Sequence, residues 1–572
     1  LESLDEADEP TFTVEGELNT AAAPGTNRLS ASPLKLRMTL DHGSQKWFIA
    51  TLLGFLAMSM VLIVLANPKG DIQDAFIQRV KFISSHALYA FWIGYGLIFG
   101  LAFLDTVFRG RRAIQALGLG VAWILPLIPV QQNYANEELI RKYGGAEQNG
   151  HDFGWQFGNY QLRGAAGISE ELEPDEEPLP DPSFPPAMGR NAVFYGGTDP
   201  GRFVPTYMIY SARVREDVYL ITQNALADNT YMSVMRDLYG DQIWIPAQPD
   251  SARSFQIYVE EVNAGKRPRN ADLRVENGRV QVSGALGVME INGILARMIF
   301  DHNKFRHDFY VEESYVIRWM YPYLSPHGLI MKINPRKTAM DKAAIDDDRD
   351  FWDWYSRRLM SDNAFLRDVV ARKSFSKLRS AIGGLYASRG RSDQAENAYN
   401  QARLLYPLSP EANFRLTQEV YLPHSRFDDA RALMQAFHEA DPGNNKVPGL
   451  IDHIDRLQNL FERIAGLEER WKAGKMPVNE ALELADCYLQ VNRKNAFMAL
   501  MGNVLQATNL PAQVYFRAAN LYREARQQPQ MVRALDICMS RASEKAPAGI
   551  YLDVARMYAA AKQPSEALKV DV

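Results

Sequence analysis

Three apolar runs sit within 85 residues of one another: Trp47 to Ala66 (WFIATLLGFLAMSMVLIVLA), His86 to Phe108 (HALYAFWIGYGLIFGLAFLDTVF) and Ala113 to Val130 (AIQALGLGVAWILPLIPV). Each approaches the roughly 17 to 25 residues that a helix needs to cross a hydrocarbon core, and none carries a charge in its centre. Buried helices of a large soluble core are the alternative, but three such runs so close together fit a membrane better. The mean hydropathy of −0.26 over 572 residues conceals them, because the remainder of the chain is polar. A multi-domain membrane protein is therefore expected, with three transmembrane helices over residues 47–130.

Flanking Lys and Arg stay cytoplasmic, which sets the orientation. The turn Arg109-Gly110-Arg111-Arg112 and the residues Lys35, Arg37 and Lys46 are expected inside. The loop 67–85 and everything after Val130 are then expected outside. The domains after Val130 are then expected in the periplasm or a lumen. Residues 1–46, acidic and then rich in Ala, Pro, Gly and Ser, read as a flexible cytoplasmic connection. The chain opens on Leu1 rather than Met and stops at Val572 inside a repeat, so it is expected to be a piece of a longer protein at both ends.

Other classes recede on composition. Cys487 and Cys538 are the 2 cysteines, too few for a disulfide framework, and no Cys/His spacing suggests zinc. A net charge of −5 argues against nucleic acid as a partner. No cofactor and no metal is expected.

Residues 131–191 form a membrane-proximal segment that ends in the acidic, Pro-rich run EELEPDEEPLPDPSFPP (170–186), expected as an extended surface loop. From Ala192 strands and helices alternate. Strands are expected at 192–195, 217–222, 308–311 and 329–333, and helices at 202–214, 228–238 and 289–302. This order predicts a small parallel-sheet α/β domain over 192–336. Its first strand runs into Gly196-Gly197-Thr198-Asp199-Pro200-Gly201-Arg202. A Gly-rich turn at the carboxyl end of such a strand exposes backbone N–H groups to an anion, or it is a tight turn with Asp199 as a helix cap. The run Asp301 to Asp308 invites a metal reading, but its spacing matches no metal motif.

After a connecting helical segment (337–374), residues 375–572 look like tetratricopeptide (TPR) repeats. Gly383, Tyr386, Ala395, Tyr399, Ala402 and Pro407 have the TPR offsets, and Ala430, Met434, Phe437 and Pro442 follow one residue longer. Later units centre on Tyr488, Tyr522 and Tyr558, 34 and 36 residues apart. An all-α TPR solenoid binding a protein or peptide is expected.

In this order the pieces resemble the C-terminal half of the polytopic protein O-mannosyltransferase-like family of the GT-C superfamily, which has a vertebrate member in the endoplasmic reticulum and bacterial relatives without an assigned substrate. HALYAFWIGYGLIFG (86–100) resembles their aromatic late span, and QNYANEELIRKYGG (132–145) their membrane-proximal segment. AVFYGGTDPGRFVPTYMIYSARVREDVYLI (192–221) resembles their strand, Gly/Asp turn, Phe-Pro helix and Arg-x-Asp-Val, with Asp199 and Phe203 at matching positions. Those members carry more Asp and Asn where Thr198-Asp199-Pro200-Gly201 stands. NGILARMIFDHNKFRHDFYV (292–311) matches at Asn303 and Arg306, with His307 in place of the usual Pro, and GLIMKIN (328–334) closes the domain.

The resemblance implies a membrane glycosyltransferase that takes sugar from a polyprenyl-phosphate donor at the membrane lipid surface and passes it to a protein or glycan acceptor. The family's general-base carboxylate lies in the first outer loop, expected upstream of this chain, so no catalytic residue is assigned here. Thr198, Asp199, Arg202, Asn303 and Arg306 are the substrate-binding candidates, and Arg79 and Lys81 the candidates for the lipid phosphate. The alternative is a membrane-tethered TPR scaffold for protein assembly without catalytic activity.

Overall fold

The structure is a computed structural model that describes residues 12–18, 34–40, 42–66, 82–108, 111–145, 147–197, 200–267, 273–276, 279–282, 284–313, 315, 317–474, 476–507, 510–541 and 548–560. Arg79, Lys81, Thr198 and Asp199 lie outside the described residues. Two compact units divide the chain, one within 1–420 and 436–447, the other within 421–435 and 448–572.

Apolar chain away from water must satisfy its backbone internally, and the three apolar runs do so as helices. His42–Leu65, Ile83–Asp105 and Arg112–Ala135 are each long and apolar enough to cross a membrane. The first is α1 (His42–Leu56), a π turn (Ala57–Val61) and α2 (Leu62–Ala66). The second is α3 (Ile83–Val107). Pro126 separates α4 (Arg112–Ile124) from α5 (Leu127–Ala135) in the third. Aromatic contacts join the first two: the Trp92 indole donates to Thr51 Oγ1 at 3.1 Å, and its ring lies 5.2 Å from Phe55. Gly118 admits Leu101 and Leu104, each 3.1 Å from where a Cβ would stand. Asp105 accepts from the Gln115 amide. Ahead of the helices, strands β1 (Phe12–Leu18) and β2 (Leu34–Leu40) pair antiparallel, where the sequence predicted a featureless connection.

The third apolar helix is anchored to the first repeat. Asn136 caps α6 (Glu137–Tyr143), accepting from the Glu138 and Leu139 amides. Arg367 donates to the Tyr134 carbonyl at 2.8 Å and lies over the Tyr134 ring, and His151 Nδ1 meets Asp368 Oδ2 at 3.0 Å. Asp368 also caps α15 (Val369–Ser388), the first long helix of the repeat region.

The α/β domain has a five-stranded mixed sheet rather than the expected parallel one. Strand β3 (Val193–Gly196) lies between β4 (Tyr219–Thr222) and β7 (Phe309–Val311), parallel to both. Strand β9 (Ile330–Ile333) then runs antiparallel to β7 and to β8 (Leu324–His327). No crossover helix joins β8 to β9; a tight turn does, so the direction must reverse. Gly328 in that turn has φ of 66°, and a Cβ there would stand 2.5 Å from Pro185, so both backbone and space demand glycine. A separate hairpin, β5 (Leu273–Glu276) with β6 (Arg279–Val282), was not legible in the sequence.

The expected helix at 202–214 is only α9 (Phe203–Thr206) and a π turn (Tyr207–Ser211), ended by Arg213 and Arg215 at φ of 56° and 60°. The other helices of the domain are α10 (Asn229–Tyr239), α11 (Gln248–Asn263) and α12 (Ala285–Asn303). The strained backbone at Arg215 is offset by its side chain. Its guanidinium donates to the carbonyls of Leu162, Met188 and Gly189 and forks onto Asp217, tying the chain before β3 to the start of β4. The hydrogen bond from Arg215 holds the Asp217 carboxyl down at about 2. A depressed carboxylate stabilises the fold above its unfolded pKa, near 3.9, and the stabilisation fades as pH falls toward 2. Asp217→Asn is therefore expected to cost about 1–2 kcal/mol at pH 7 and almost nothing near pH 2, as read by urea unfolding at both pH values.

The segment 337–374, expected as a connection, contains the centre of the first unit. Asp341 caps α13 (Lys342–Ser361), whose Trp352, Trp354 and Tyr355 are fully buried, and the short α14 (Asn363–Arg367) comes next. The Trp352 indole donates to Gly328 in the β8–β9 turn, the Trp354 indole to the Glu177 carbonyl, and the Tyr355 hydroxyl to Gln156. Gln156 belongs to α7 (Phe153–Arg163), which with α8 (Ala165–Glu171) is buried within the region expected to be a simple membrane-proximal segment. Beyond α8, residues 172–186 of the acidic run form neither helix nor strand, but they are docked. Glu176 binds Arg358 at 2.8 Å, Glu177 binds Arg357 at 3.0 Å, and Phe184 meets Phe351 edge-on at 6.0 Å.

The repeat region is built from antiparallel helix pairs. In the first unit, α15 packs on α16 (Ser392–Leu405), with Gly383 letting the Tyr399 ring approach to 2.7 Å of a would-be Cβ. Helices α17 (Pro410–Arg415), α18 (Phe427–Ala440) and α19 (Lys446–Lys472) come next along the chain. In the second unit, α20 (Val478–Gln490), α21 (Lys494–Gln506), α22 (Ala512–Glu524) and α23 (Gln528–Arg541) share one apolar core with α24 (Ala548–Ala560). Cys487 and Cys538 are buried in it, and burial raises both thiols.

One turn recurs through the repeats. The amides of Arg391, Arg426, Arg493 and Gln527 each bond back to the carbonyl of a tyrosine five residues earlier, Tyr386, Tyr421, Tyr488 and Tyr522. The residue before each donor is left-handed: Gly390, Ser425, Asn492 and Arg526. This is the Schellman helix end, which favours glycine. Arg526→Gly is expected to raise stability by about 1 kcal/mol, seen as a higher thermal midpoint; a lower midpoint would show that the arginine side chain contributes more than its backbone conformation costs.

Candidate functional site at the carboxyl edge of the sheet

Strands β3 and β7 are parallel with Tyr195 opposite Val311, so the residues that come after these positions, Gly196-Gly197 and Glu312-Glu313, emerge at the same edge. The Glu312 amide donates to the Tyr195 carbonyl at 3.0 Å. Its carboxyl then turns into the Gly-rich turn. A Cβ on Gly201 would stand 1.5 Å from Glu312 Oε2, and one on Gly197 2.8 Å from Oε1. The glycines, for which the sequence left open an anion cradle or a tight turn, thus surround the chain's own carboxyl group.

Glu312 is 1% exposed. Burial pushes its carboxyl up to about 7, against the opposing pull of Lys377 and the Gly197 amide. Lys377 Nζ lies 3.5 Å from Oε1, and Oε2 has no hydrogen-bond partner among the described residues. The group can therefore hold or release a proton near neutral pH.

Beside it a second network ties the same edge to the repeats. Arg415, at the end of α17, meets Glu313 at 2.9 Å, Glu419 at 3.0 Å and Glu411 at 3.6 Å. The Tyr321 hydroxyl donates to Glu313 at 2.9 Å, and the Tyr399 hydroxyl donates to Glu419. Gly384 makes room, since a Cβ there would stand 1.5 Å from Arg415 Nη2. Four carboxyls, Glu312, Glu313, Glu411 and Glu419, thus face two cations, Lys377 and Arg415. With that imbalance, protonation of Glu312 at neutral pH relieves repulsion.

Among the described candidates, Asn303 and Arg306 lie away from this edge. Asn303 and Arg306 precede β7, at the opposite end of the strand from Glu312. The Asn303 side chain is buried and clamps Trp244, accepting from its amide and donating to its carbonyl, each at 2.9 Å, and it donates to Ile299 as well. That corrects its reading as a substrate contact, because both faces of the amide are committed inside the protein. Arg306 is exposed. Arg202 is exposed over the Phe203 ring. The Asp301–Asp308 run is likewise dispersed: Asp301 pairs with Arg297 and Lys304, Asp308 with Lys332, and His307 with the Asn191 carbonyl. Among the described residues no group of three or more His, Cys, Asp or Glu is placed to hold a metal ion. Glu312 was missed, although two acidic residues directly after a buried strand, opposite a Gly-Gly turn, were signal enough.

No protein-family model and no curated protein matches this chain. Among solved structures, a tetratricopeptide repeat protein from Parabacteroides merdae matches at 13% identity over 38% of this chain and 84% of its own, with a TM-score of 0.17. The TPR domain of P58(IPK) matches at 10% identity over 60% of this chain and 94% of its own, with a TM-score of 0.16. The repeat architecture stands on the helix pairs and turns described above.

Because the Glu312 pKa is raised on folding, the folded chain keeps a proton that the unfolded chain releases above about 4.3. The contribution of this group is thus fully favourable below that value and is lost as pH rises to about 7. Glu312→Gln is expected to remove up to about 3 kcal/mol of that decline, leaving denaturant midpoints flatter between pH 5 and 8 than in the wild type. Identical slopes in the two proteins would mean that Lys377 keeps Glu312 ionised.

Proposed function

We propose that this chain is the partner-handling part of a membrane glycosyltransferase. It would hold a protein acceptor at the periplasmic face of a bacterial inner membrane while sugar is transferred from a polyprenyl-phosphate donor. Arrays of helix pairs are protein-interaction scaffolds, and that coarser role needs no chemistry from the chain. The observation that carries the reading is the clamp of Arg367 on Tyr134 and of Asp368 on His151. It holds the first repeat helix at a set position from the third apolar helix, so a bound partner stays close to the membrane surface. The sugar chemistry is supported by the sequence resemblance, with Arg79 and Lys81 offered to the donor phosphate and Thr198, Asp199 and Arg202 to the substrate.

A second reading, a scaffold without catalysis, is favoured by Glu312. It fills the turn that a substrate anion would use. The two readings separate in one assay, in which the full natural reading frame in membranes is supplied with a radiolabelled polyprenyl-phosphate sugar and protein acceptors. The transferase reading expects label on protein, and deletion of 375–572 is expected to raise the acceptor KM by roughly tenfold or more with little change in kcat. No label on any acceptor from the full-length protein would leave the scaffold.

A further inference from the structure

The α/β domain and the helix it packs on leave an aromatic surface exposed that neither reading uses. On α7 the Trp155 ring is exposed, although its indole nitrogen donates to Glu171 at 2.7 Å. Beside it, Phe203 and Tyr207 are 58% and 56% exposed, on the short α9 and the π turn that continues it. With Gly154, Val204 and Met208 these three rings line a cavity of about 330 Å³ that has no charged group in its wall. The surface is firmly seated. A Cβ on Gly158 would stand 2.6 Å from Met208 and 2.8 Å from Val204, so this segment lies directly on α7. Tyr210, exposed on the same segment, is tied through its hydroxyl to Tyr239. Rings of this size left uncovered side by side mark a contact surface.

Its neighbours show what covers it. Phe153, two residues before Trp155, packs edge-on against Phe365 at 5.3 Å, and His151 meets Asp368. Between those two partners stands Arg367, which holds the Tyr134 carbonyl at the end of the third apolar helix. Along this path Tyr134, Leu139, Leu366 and Val370 also leave large side chains uncovered. Exposed apolar surface therefore continues from the last long apolar helix, past the clamp, to Trp155 and Phe203. Tryptophan and tyrosine favour the headgroup level of a bilayer, where an apolar ring meets a polar edge. Arg202, exposed over the Phe203 ring at 5.3 Å, adds a cation beside the rings, the sign that phosphate headgroups attract. Phe305 supplies the contrast. It is 72% exposed just before β7, whereas Phe203 comes two residues after Gly201, which packs on the carboxyl end of β3. Because β3 and β7 are parallel, the two phenylalanines stand at opposite ends of the sheet.

We propose that Trp155, Phe203 and Tyr207 rest in the headgroup layer of the same bilayer that the three apolar helices span, giving the α/β domain a second, peripheral contact with the lipid surface. This rests on the membrane reading of those helices. A single attachment at Tyr134 lets the domain swing, and a second beside Phe203 stops it. The first repeat, which starts at α15, is then held at one tilt above the lipid.

The test places a nitroxide label on single cysteines in the full chain, reconstituted in vesicles of phosphatidylcholine and phosphatidylglycerol. The variants are Phe203→Cys, Tyr207→Cys, Phe305→Cys and, on the third apolar helix, Leu117→Cys. All four positions are exposed, and the native Cys487 and Cys538 are buried away from the reagent. Collision of the label with oxygen, which concentrates in lipid, is compared with collision with a water-soluble nickel chelate. The oxygen-to-nickel ratio at positions 203 and 207 is expected to be roughly threefold or more above that at 305, and below that at 117. Ratios at 203 and 207 equal to that at 305 overturn the proposal while the membrane reading survives. Suppressed collision with both agents at 203 and 207 also overturns it, in favour of a protein covering the patch. A water-like ratio at 117 overturns the membrane reading and the proposal together. Should Phe203→Cys lower the thermal midpoint, Tyr207→Cys decides the matter.

Discussion

The first unit depends on one helix face. Phe351, Trp352, Trp354 and Tyr355 occupy a little over one turn of α13, and each ring reaches a different neighbour. Trp352 reaches the β8–β9 turn, Trp354 the acidic strap, Tyr355 helix α7, and Phe351 the strap's Phe184. Large aromatic rings bury extensive surface, and their single polar atoms fix direction. Because three of the four rings also place a hydrogen bond, apolar burial and geometry are set by the same side chains. The sheet, the strap and the membrane-proximal helices therefore have their positions defined relative to one another by α13 rather than by direct packing alone.

Around that hub, arginines bridge elements that are distant in sequence. Arg358 reaches the strap, Arg415 the end of β7, Arg389 the carbonyls of Tyr321 and Thr338, and Arg215 the chain before β3. Several of them donate to backbone carbonyls, a use that lysine's single nitrogen serves poorly. Such bonds form only once both elements are in place, and they secure a particular arrangement more than they supply net stability. The carboxyl edge of the sheet is one place where this pattern is dense, and it is also where burial pushes a carboxyl up to about 7.

Legibility in the sequence followed the physics of each signal. Apolar runs revealed the three long helices and strands β3, β4, β7 and β9, because burial on both faces leaves a continuous apolar stretch. Direction within the sheet was not visible, since β8, LSPH, is short and polar in composition, and its missing recognition turned a mixed sheet into a parallel one. Helix α13 was expected only as part of a connecting helical segment, because the charges of KAAIDDDRD mask the aromatic face beyond it. The repeats were legible from small and aromatic residues, but their ends were obscured, because Ser425, Asn492 and Arg526 stand where glycine would announce a Schellman turn. At the candidate site, glycines pointed correctly to a close approach. What approaches is a side chain more than a hundred residues away, and local pattern carries no information about that.

The strap has a consequence for the order of synthesis. Glu176 and Arg358 are separated by 182 residues, so on a ribosome adding roughly 5–20 residues per second the strap waits on the order of ten to forty seconds for its partner. During that interval it is held in solution by its own charge and kept from pairing with other strands by its prolines. The composition that made it look like a surface loop is what lets it remain available until α13 arrives.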